Sequence, residues 1–357
     1  MKFGSYIKTV SLWLQLNRRN GSTPWKLFFL DLPKHALRKS YAGAASFLNR
    51  KLLFSVNKNS IIRFHDAHHA SASGHYYIIV MPNVLHLLLP CLALLQGIPI
   101  VFILNGASAQ DARYLLETYP HIPQFKLRTL PRSSMAHVLV LDLLFAANEG
   151  NFGIIDHDLY IFHSEALQNI QLDDKTALAY IFAHKNEKTG LLFPTTHFLY
   201  FNTLVIKSLM HRYKLSHLSN PGVPRNMKSQ IASLGIGLDN LPKKWVSFYD
   251  TSHLVMAMAH YEGLEFSSLG LANGRSMHIG HTTYSLTGLT YSWLYARLLE
   301  LHCNEEIRAR YWKKLIHFPD KDALLDHYLK HHGSMQELAS LNKAVNHIAA
   351  HLADTPT

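Results

Sequence analysis

Cysteine and charged residues are scarce in this chain of 357 residues, which has two cysteines and 17% charged residues. Neither cysteine, Cys91 or Cys303, lies in a metal-type spacing, and two cysteines exclude a disulfide framework, which fits a reducing compartment. No dense Lys/Arg run with interleaved aromatic residues and no nucleic-acid motif is present, so nucleic acid is not an expected partner. A hydrophobic content of 48% excludes a disordered chain.

Long apolar runs are also lacking. The best candidate for a membrane span, residues 84–104, contains Pro90 and is divided by the Gln-Gly-Ile-Pro sequence of residues 96–99. The two halves read as an apolar helix and an apolar strand, each too short to cross a hydrocarbon core of about 30 Å. The N-terminus has no signal-peptide hydrophobic region. We therefore expect a cytoplasmic protein, with peripheral attachment to a membrane left open.

Positive charge is the main compositional feature. Lys and Arg number 35 against 24 Asp and Glu, giving a formal net charge of +11. This excess favours an anionic partner such as a phospholipid surface or a phosphorylated sugar. Basic and aromatic residues mix within residues 1–73, a pattern that suits either an anionic membrane surface or a helical layer packed on the main domain. The 25 histidines mean that no histidine is functional by residue type alone.

From His75 onward, apolar strands alternate with helices. Predicted strands are Tyr76–Met81, Ile98–Leu104, Phe125–Leu127 and Phe152–Ile155; predicted helices are Val84–Leu95, Asp111–Tyr119, Ser133–Ala147 and Ser252–Tyr261. This alternation predicts an α/β fold with a mainly parallel sheet covered by helices. We expect a catalytic domain over residues 74–290, an N-terminal helical appendage over 1–73 and a C-terminal helical extension over 291–357. Ligands of such sheets bind at the carboxyl ends of the strands. Asn83, Asn105 and Asp156 all lie at such ends, so we expect them at the ligand site.

The most informative segment is the end of the strand Phe152–Ile155. Two carboxylates, Asp156 and Asp158, follow this strand before apolar residues resume at Leu159. In an extended segment alternate side chains point to the same side, so both carboxylates are expected to face one cavity. Two oxygen donors without an adjacent Lys or Arg suit Mg²⁺ or Mn²⁺, and such an ion can carry a diphosphate.

These residues resemble the Asp-x-Asp motif of nucleotide-sugar-dependent glycosyltransferases with a GT-A fold, family 2-like in type. The turn of residues 104–111 is similar to the segment that holds the nucleobase in such enzymes, which implies donor contacts through Asn105 and Asp111, with Asn83 facing the same ligand. Asn105 is equally suited to form a turn with the glycine that follows it. The sequence His-Ile-Gly-His of residues 278–281 resembles the segment, far along the chain after the acidic pair, that supplies a histidine ligand to the metal in many such enzymes. The resemblance implies His278, or His281 in a shifted register, on the metal and Gly280 beside the diphosphate.

The resemblance also implies a carboxylate that deprotonates the acceptor hydroxyl. Asp250 ends a strand-like run and is the candidate catalytic base, although it is also placed to cap the helix that begins near Ser252. Residues 194–198 are assigned to the acceptor wall from position alone. The implied activity is a Mn²⁺- or Mg²⁺-dependent hexosyl transfer from a nucleotide diphosphate sugar to a hydroxyl of a glycan or a lipid-linked acceptor.

Two alternatives stay open. Residues His65, Asp66, His68 and His69 have metal-ligand chemistry and would suit a metal-dependent hydrolase. The basic and aromatic N-terminal segment and the basic C-terminal helices would suit a non-catalytic peripheral membrane protein. Turnover of a nucleotide sugar distinguishes the transferase from both.

Overall fold

The computed structural model describes most of the chain from Tyr41 to Ala353: residues 41, 44–45, 47–68, 74–131, 133–217, 223–237, 240, 251–279, 289–316, 318–331 and 335–353. The chain divides into two compact units. The sheet unit comprises Ser46–Pro82 and Leu95–His278, and the helical unit comprises Met1–Ala45, Asn83–Leu94 and Ile279–Thr357. The predicted domain boundaries after residues 73 and 290 stay predictions, and the grouping of Asn83–Leu94 with the C-terminal helices was not foreseen.

The sheet unit is built on one seven-stranded sheet with two small strand pairs. The strands are β1 (His75–Val80), β2 (Ile100–Leu104), β3 (Gln124–Lys126), β4 (Phe152–Ile155), β5 (Leu159–Ile161), β6 (Thr176–Tyr180), β7 (Ala183–Lys185), β8 (Leu192–Pro194), β9 (Phe198–Phe201), β10 (Glu265–Ser268) and β11 (Ser276–His278). The large sheet has the order β10-β6-β9-β4-β1-β2-β3, and the small pairs are β11-β5 and β7-β8. In the large sheet only β9 runs antiparallel to its neighbours, β4 and β6.

The central strands are apolar on both faces, as parallel strands covered on both sides must be. All five residues of β2 and all four of β4 are buried. Parallel pairing joins β1 to β2 and β4, β2 to β3, and β6 to β10. The α/β class and the mainly parallel sheet expected from the sequence are therefore confirmed.

Gly153 lies in β4 where the neighbouring strands place large rings. A Cβ atom added at this position would lie 2.4 Å from Cδ1 of Tyr76 and 3.1 Å from Cδ2 of Tyr200. Those two aromatic rings lie with centroids 5.5 Å apart. Because glycine has no Cβ, both rings can pack over β4 at this position, and any larger residue would force one of them to move.

Helices of the sheet unit share a core with the strands. They are α1 (Phe54–His68), α3 (Ala109–Thr118), α4 (His137–Ala147), α5 (Thr203–Tyr213), α6 (Lys228–Ser233) and α7 (His253–Tyr261). A π-helical turn at Asn49–Leu53 precedes α1, and α2 (Leu85–Leu94) belongs to the helical unit. Helix α4 supplies a nearly continuous apolar sequence to that core, and α7 does the same. Burial of this kind contributes about 25 cal/mol per Å² of apolar surface, so it dominates the stability of the unit.

Helix α4 begins four residues later than the sequence predicted. Ser133 was expected to cap it, but the Ser133 hydroxyl instead donates to the carbonyl of Leu130 at 2.8 Å. The side-chain amide of Asn105 then makes two hydrogen bonds to the backbone of Met135, which lies before the helix. Residues 133–136 therefore form a strap, a non-helical segment bound to Asn105 in the loop after β2, and the helix starts after Ala136.

The helical unit contains α2 and four C-terminal helices. Those helices are α8 (Leu289–His302), α9 (Glu305–Tyr311), α10 (Lys321–His331) and α11 (Met335–Ala353), with a π-helical turn at Trp312–Ile316. Within this unit His86 packs edge-on against Tyr295 and near Tyr311, with ring centroids 4.6 and 5.6 Å away. The C-terminal helices expected from the sequence are present. Within the described residues, no helix has the length and apolar character needed to cross a membrane.

Candidate metal centre

Asp156 follows the last residue of β4, at the edge where that strand leaves the sheet. Its backbone N–H donates to the carbonyl of His197 at 2.9 Å, and its own carbonyl accepts from the N–H of Leu159 at 3.1 Å. The second bond closes a turn over residues 156–159. The two carboxylates are therefore presented by a strand end and a turn, which differs from the extended alternation expected from the sequence.

His278 reaches the acidic pair because β11 pairs antiparallel with β5. In this register His278 lies opposite Leu159, the residue after Asp158. Its Nε2 atom is 3.2 Å from Oδ1 of Asp158 and 3.9 Å from Oδ2 of Asp156. Two segments separated by more than a hundred residues thus meet at one point, and the role of His278 as a metal ligand stays a prediction.

A second histidine, His197, lies against the first. Its ring stacks on that of His278 with centroids 3.5 Å apart and planes 20° apart. In the described part of the chain, the set of side chains whose ligand atoms all lie within 4.8 Å of one another is Asp156, His197 and His278. One carboxylate and two imidazoles form a donor set that fits a divalent cation.

Exposure differs among the carboxylates and shapes their electrostatics. The side chain of Asp156 is 25% exposed and that of Asp158 only 5%. Loss of hydration inside the protein raises the pKa of Asp156 well above its usual range, and the charge of Asp158 raises it further. A cation beside these carboxylates would offset both effects, because it favours their ionised forms.

His157, between the two carboxylates in sequence, is buried. Burial lowers its pKa, and the nearby His278 adds to that effect, while Asp158 and a hydrogen bond with the Ile79 backbone oppose it. Its ring is thus directed into the protein while its two neighbours in sequence face His278. The turn over residues 156–159 produces this division, which alternation along a strand would also have given.

Asn105 and Asp111 lie in the loop after β2 and at the start of α3. Asn105 is fully buried, and its amide binds both polar groups of the Met135 backbone. Gly106 follows with φ of 80°, and a Cβ there would lie 2.6 Å from the Ser133 carbonyl oxygen. The backbone N–H of Asp111 donates to the Ser108 hydroxyl, which caps α3. These contacts organise the loop, and the expected nucleobase contacts through Asn105 and Asp111 stay predictions.

For the remaining expected residues, Asn83, Asp250, Gly280 and His281, a role in the site stays a prediction. Asn83 belongs to the helical unit and has φ of 62°, so it forms a turn before α2. Asp250, Gly280 and His281 lie outside the described residues, and their roles stay predictions.

The alternative histidine cluster is spread over the last turn of α1. His65 is buried, with Nε2 3.1 Å from the hydroxyl of Tyr77, whereas Nδ1 of the exposed His68 contacts the Phe64 carbonyl at 2.9 Å. Asp66 is exposed, and His69 lies outside the described residues. Among the described residues these side chains do not form a ligand set of the kind found at Asp156.

Sequence reasoning missed His197 as a metal-ligand candidate and assigned it to the acceptor wall. The informative signal was its position directly before β9, an apolar strand that pairs antiparallel with β4. In that register Phe198 lies opposite Ile155, so the preceding residue must lie beside Asp156. Strand pairing of this kind cannot be read from one sequence, because the loop lengths allow several registers.

Comparison with known proteins gives a family for the segment that holds most of this centre. Residues 55–206 match the StrH glycosyltransferase N-terminal domain. The match covers less than half of the chain, includes Asp156, Asp158 and His197, and ends before His278. This segment is therefore similar to a glycosyltransferase domain, and the match leaves the donor and the acceptor unspecified.

Other comparisons are more distant. A search of curated proteins found no match. Among solved structures, the chain is similar to a mannosyltransferase from Pyrobaculum calidifontis, PcManGT, solved in complex with GDP-mannose and Mn²⁺. The identity is 13%, the TM-score is 0.36, and the alignment covers 83% of this chain and 96% of the other.

Proposed function

We propose that the protein is a metal-dependent glycosyltransferase that moves a hexose from a nucleotide diphosphate sugar to a hydroxyl acceptor. The observation that carries the proposal is the convergence of Asp156, Asp158 and His278 at the end of β4, with His278 Nε2 3.2 and 3.9 Å from the two carboxylates. The match of residues 55–206 to the StrH glycosyltransferase N-terminal domain supports the assignment to this class of enzyme. Ligands of α/β sheets bind at such strand ends.

The donor set fits a divalent cation. Asp156, Asp158 and His278 would hold Mn²⁺ or Mg²⁺. Burial and the neighbouring charge of Asp158 raise the pKa of Asp156, and a bound cation would favour its ionised form. When bound, such an ion supplies Lewis-acid stabilisation of charge on the departing nucleoside diphosphate. Asp156 and His278 keep 25% and 16% of their side-chain surfaces exposed, so a diphosphate can reach them.

The protein's own residues position the donor. The hydrogen bond from Asp156 N–H to His197 and the pairing of β11 with β5 fix the carboxylates and the imidazole before any ligand arrives. Preorganised groups of this kind lower a barrier because they need no rearrangement during the reaction. Asp250 is proposed as the base that takes the acceptor proton.

The proposed acceptor is a glycan or a lipid-linked sugar near an anionic membrane. Support comes from the net charge of +11 and from the segment before α1. There Phe47, just before the π-helical turn, and Leu52, within it, are 60% and 62% exposed, and the turn also carries Arg50 and Lys51. Exposed apolar side chains flanked by cations suit a headgroup layer.

The test is turnover of a panel of nucleotide diphosphate sugars, measured as release of the nucleoside diphosphate with Mn²⁺, with Mg²⁺ and with a chelator. We expect at least one donor to be hydrolysed or transferred only when metal is present. Asp156→Asn should abolish this turnover, whereas Asp174→Asn, which changes an exposed carboxylate of the same unit, should leave it intact. Turnover that persists in the chelator would contradict the proposal.

A further inference from the structure

We infer that His197 is a ligand of the metal at this centre and that, as a result, the protein selects a first-row transition ion over Mg²⁺. The inference rests on the proposed function, since it concerns the metal of that same site. It differs from the expectation drawn from the sequence, where His197 belonged to the acceptor wall and Mn²⁺ and Mg²⁺ were equivalent.

Geometry places His197 in the donor set. Ligand atoms of Asp156, His197 and His278 lie within 4.8 Å of one another. Metal–ligand bonds of about 2.0–2.2 Å put adjacent donors on one ion roughly 3–4 Å apart, so small side-chain adjustments bring all three atoms onto a single cation. All three residues are only partly buried, which leaves room for water or a phosphate oxygen on the remaining coordination positions.

The orientation of His197 is fixed by two neighbours. Its Nδ1 atom lies 3.2 Å from the hydroxyl oxygen of Thr195, and the backbone N–H of Thr195 donates to the Phe182 carbonyl at 2.8 Å. With the proton on Nδ1 donated to Thr195, the lone pair of the ring is on Nε2, the form in which imidazole binds metals. Stacking against His278 holds the plane of the ring. Metal-bound histidines commonly have such a partner on the second nitrogen.

Donor chemistry then determines the preferred ion. Mg²⁺ favours oxygen ligands and retains several waters, whereas imidazole nitrogen suits the later first-row ions. Two imidazoles beside the carboxylates therefore predict affinities that rise from Mg²⁺ to Mn²⁺ to Co²⁺. Mg²⁺ comes last because it prefers oxygen ligands, and Co²⁺ exceeds Mn²⁺ in the general ranking of first-row ions. An all-carboxylate Asp-x-Asp site would show much weaker discrimination.

The experiment uses the full chain after removal of metal by a chelator. Mg²⁺, Mn²⁺ and Co²⁺ are titrated by calorimetry, and the Mn²⁺ form is studied by pulsed electron paramagnetic resonance, which detects coordinated imidazole nitrogen. Three variants are compared with the wild type: His197→Ala, Thr195→Val, and His121→Ala as a control at an exposed histidine of the same unit.

We expect the wild type to bind Co²⁺ most tightly and Mg²⁺ least tightly, with nitrogen couplings from two imidazoles. His197→Ala should weaken Mn²⁺ and Co²⁺ binding by about tenfold or more, leave Mg²⁺ binding little changed and remove one of the two couplings. Thr195→Val keeps the shape of the side chain but loses the hydroxyl, so it should weaken Co²⁺ binding by about tenfold while retaining both couplings. His121→Ala should behave as wild type.

Two results would overturn the inference: wild-type Mn²⁺ affinity with unchanged couplings in His197→Ala, or Mg²⁺ bound as tightly as Mn²⁺ by the wild type. Circular dichroism of each variant separates loss of a ligand from loss of the fold. Failure of the proposed function is distinguishable. A protein that shows two imidazole couplings but releases no nucleoside diphosphate from any donor would retract the transferase proposal and support the metal assignment.

Discussion

The sheet unit holds two groups of histidines whose surroundings are opposite. The site histidines, His197 and His278, are partly exposed and lie beside the carboxylate of Asp156. The interior histidines are His137, His157 and His217, and each has a buried Nε2 atom for which the described residues provide no hydrogen-bond partner. Since the chain is rich in histidine, the residue type alone does not tell a site histidine from an interior one.

The two groups differ in the surroundings that determine protonation and hydrogen bonding of each ring. Burial, together with the nearby His157 and His217, lowers the pKa of His137 to about 4, so this ring stays neutral near neutral pH. His217 is held differently, since its Nδ1 and its backbone N–H both lie 3.0 Å from Oδ1 of Asp142. The interior group therefore serves the fold, whereas the site group gathers nitrogen and oxygen donors at a surface that a ligand can reach.

The largest expected effect is at Asp156. Asp156→Asn should lower turnover of the nucleotide sugar by about a hundredfold or more, because a metal contributes several kcal/mol to the transition state. The same change should raise the free energy of unfolding of the metal-free protein. The folded-state pKa of Asp156 is raised, so its ionised form opposes folding at neutral pH and this penalty disappears as pH falls. Chemical denaturation with chelator present checks the second half, and unchanged or lower stability would contradict it.

The interior group should respond to acid. Because His137 has a folded-state pKa near 4 against 6.5 in the unfolded chain, the unfolded state binds its proton first as pH falls. The contribution of His137 to the free energy of unfolding should therefore be constant above about pH 7 and decline by up to about 3 kcal/mol between pH 6.5 and 4.

Urea unfolding across that pH range measures the decline. His137→Leu should reduce the slope, since it removes the group that titrates, while His121→Ala at the surface should preserve it. A stability difference between wild type and His137→Leu that does not change between pH 6.5 and 4.5 would contradict the lowered pKa of His137 in the folded protein.

A smaller effect is expected at Asn105. Asn105→Ala leaves the buried N–H and carbonyl of Met135 without their partner, at a cost of about 1–3 kcal/mol. The exposed Asn59→Ala is the matched control and should change stability by less than about 0.5 kcal/mol. If the two variants unfold at the same urea concentration, the strap before α4 does not depend on Asn105.

Much of the fold could be predicted from the sequence because strands such as Ile100–Leu104 are uniformly apolar and bounded by turn residues. The pairing of β11 with β5 could not, since β11 has three residues and no pattern of its own. The start of α4 was missed for a related reason: Ser133 has the chemistry of a cap, but its hydroxyl is bound elsewhere through tertiary contacts. Local chemistry identified the acidic pair, and long-range register determined which histidine lies beside it.

The last prediction concerns membranes and tests whether positive charge away from the metal centre binds an anionic surface. Arg50 and Lys51 flank the exposed Leu52, and each cation near an anionic surface contributes about 1 kcal/mol. The double variant Arg50→Glu, Lys51→Glu should therefore lose roughly thirtyfold in binding to vesicles that contain anionic lipid, measured by co-sedimentation at low salt. Lys188→Glu, an exposed cation of the same unit, should have little effect. Because screening shortens the range of these attractions, wild-type binding should also fall steeply with added salt. Equal binding to neutral vesicles, or none at low salt, would contradict the membrane proposal and favour a soluble acceptor.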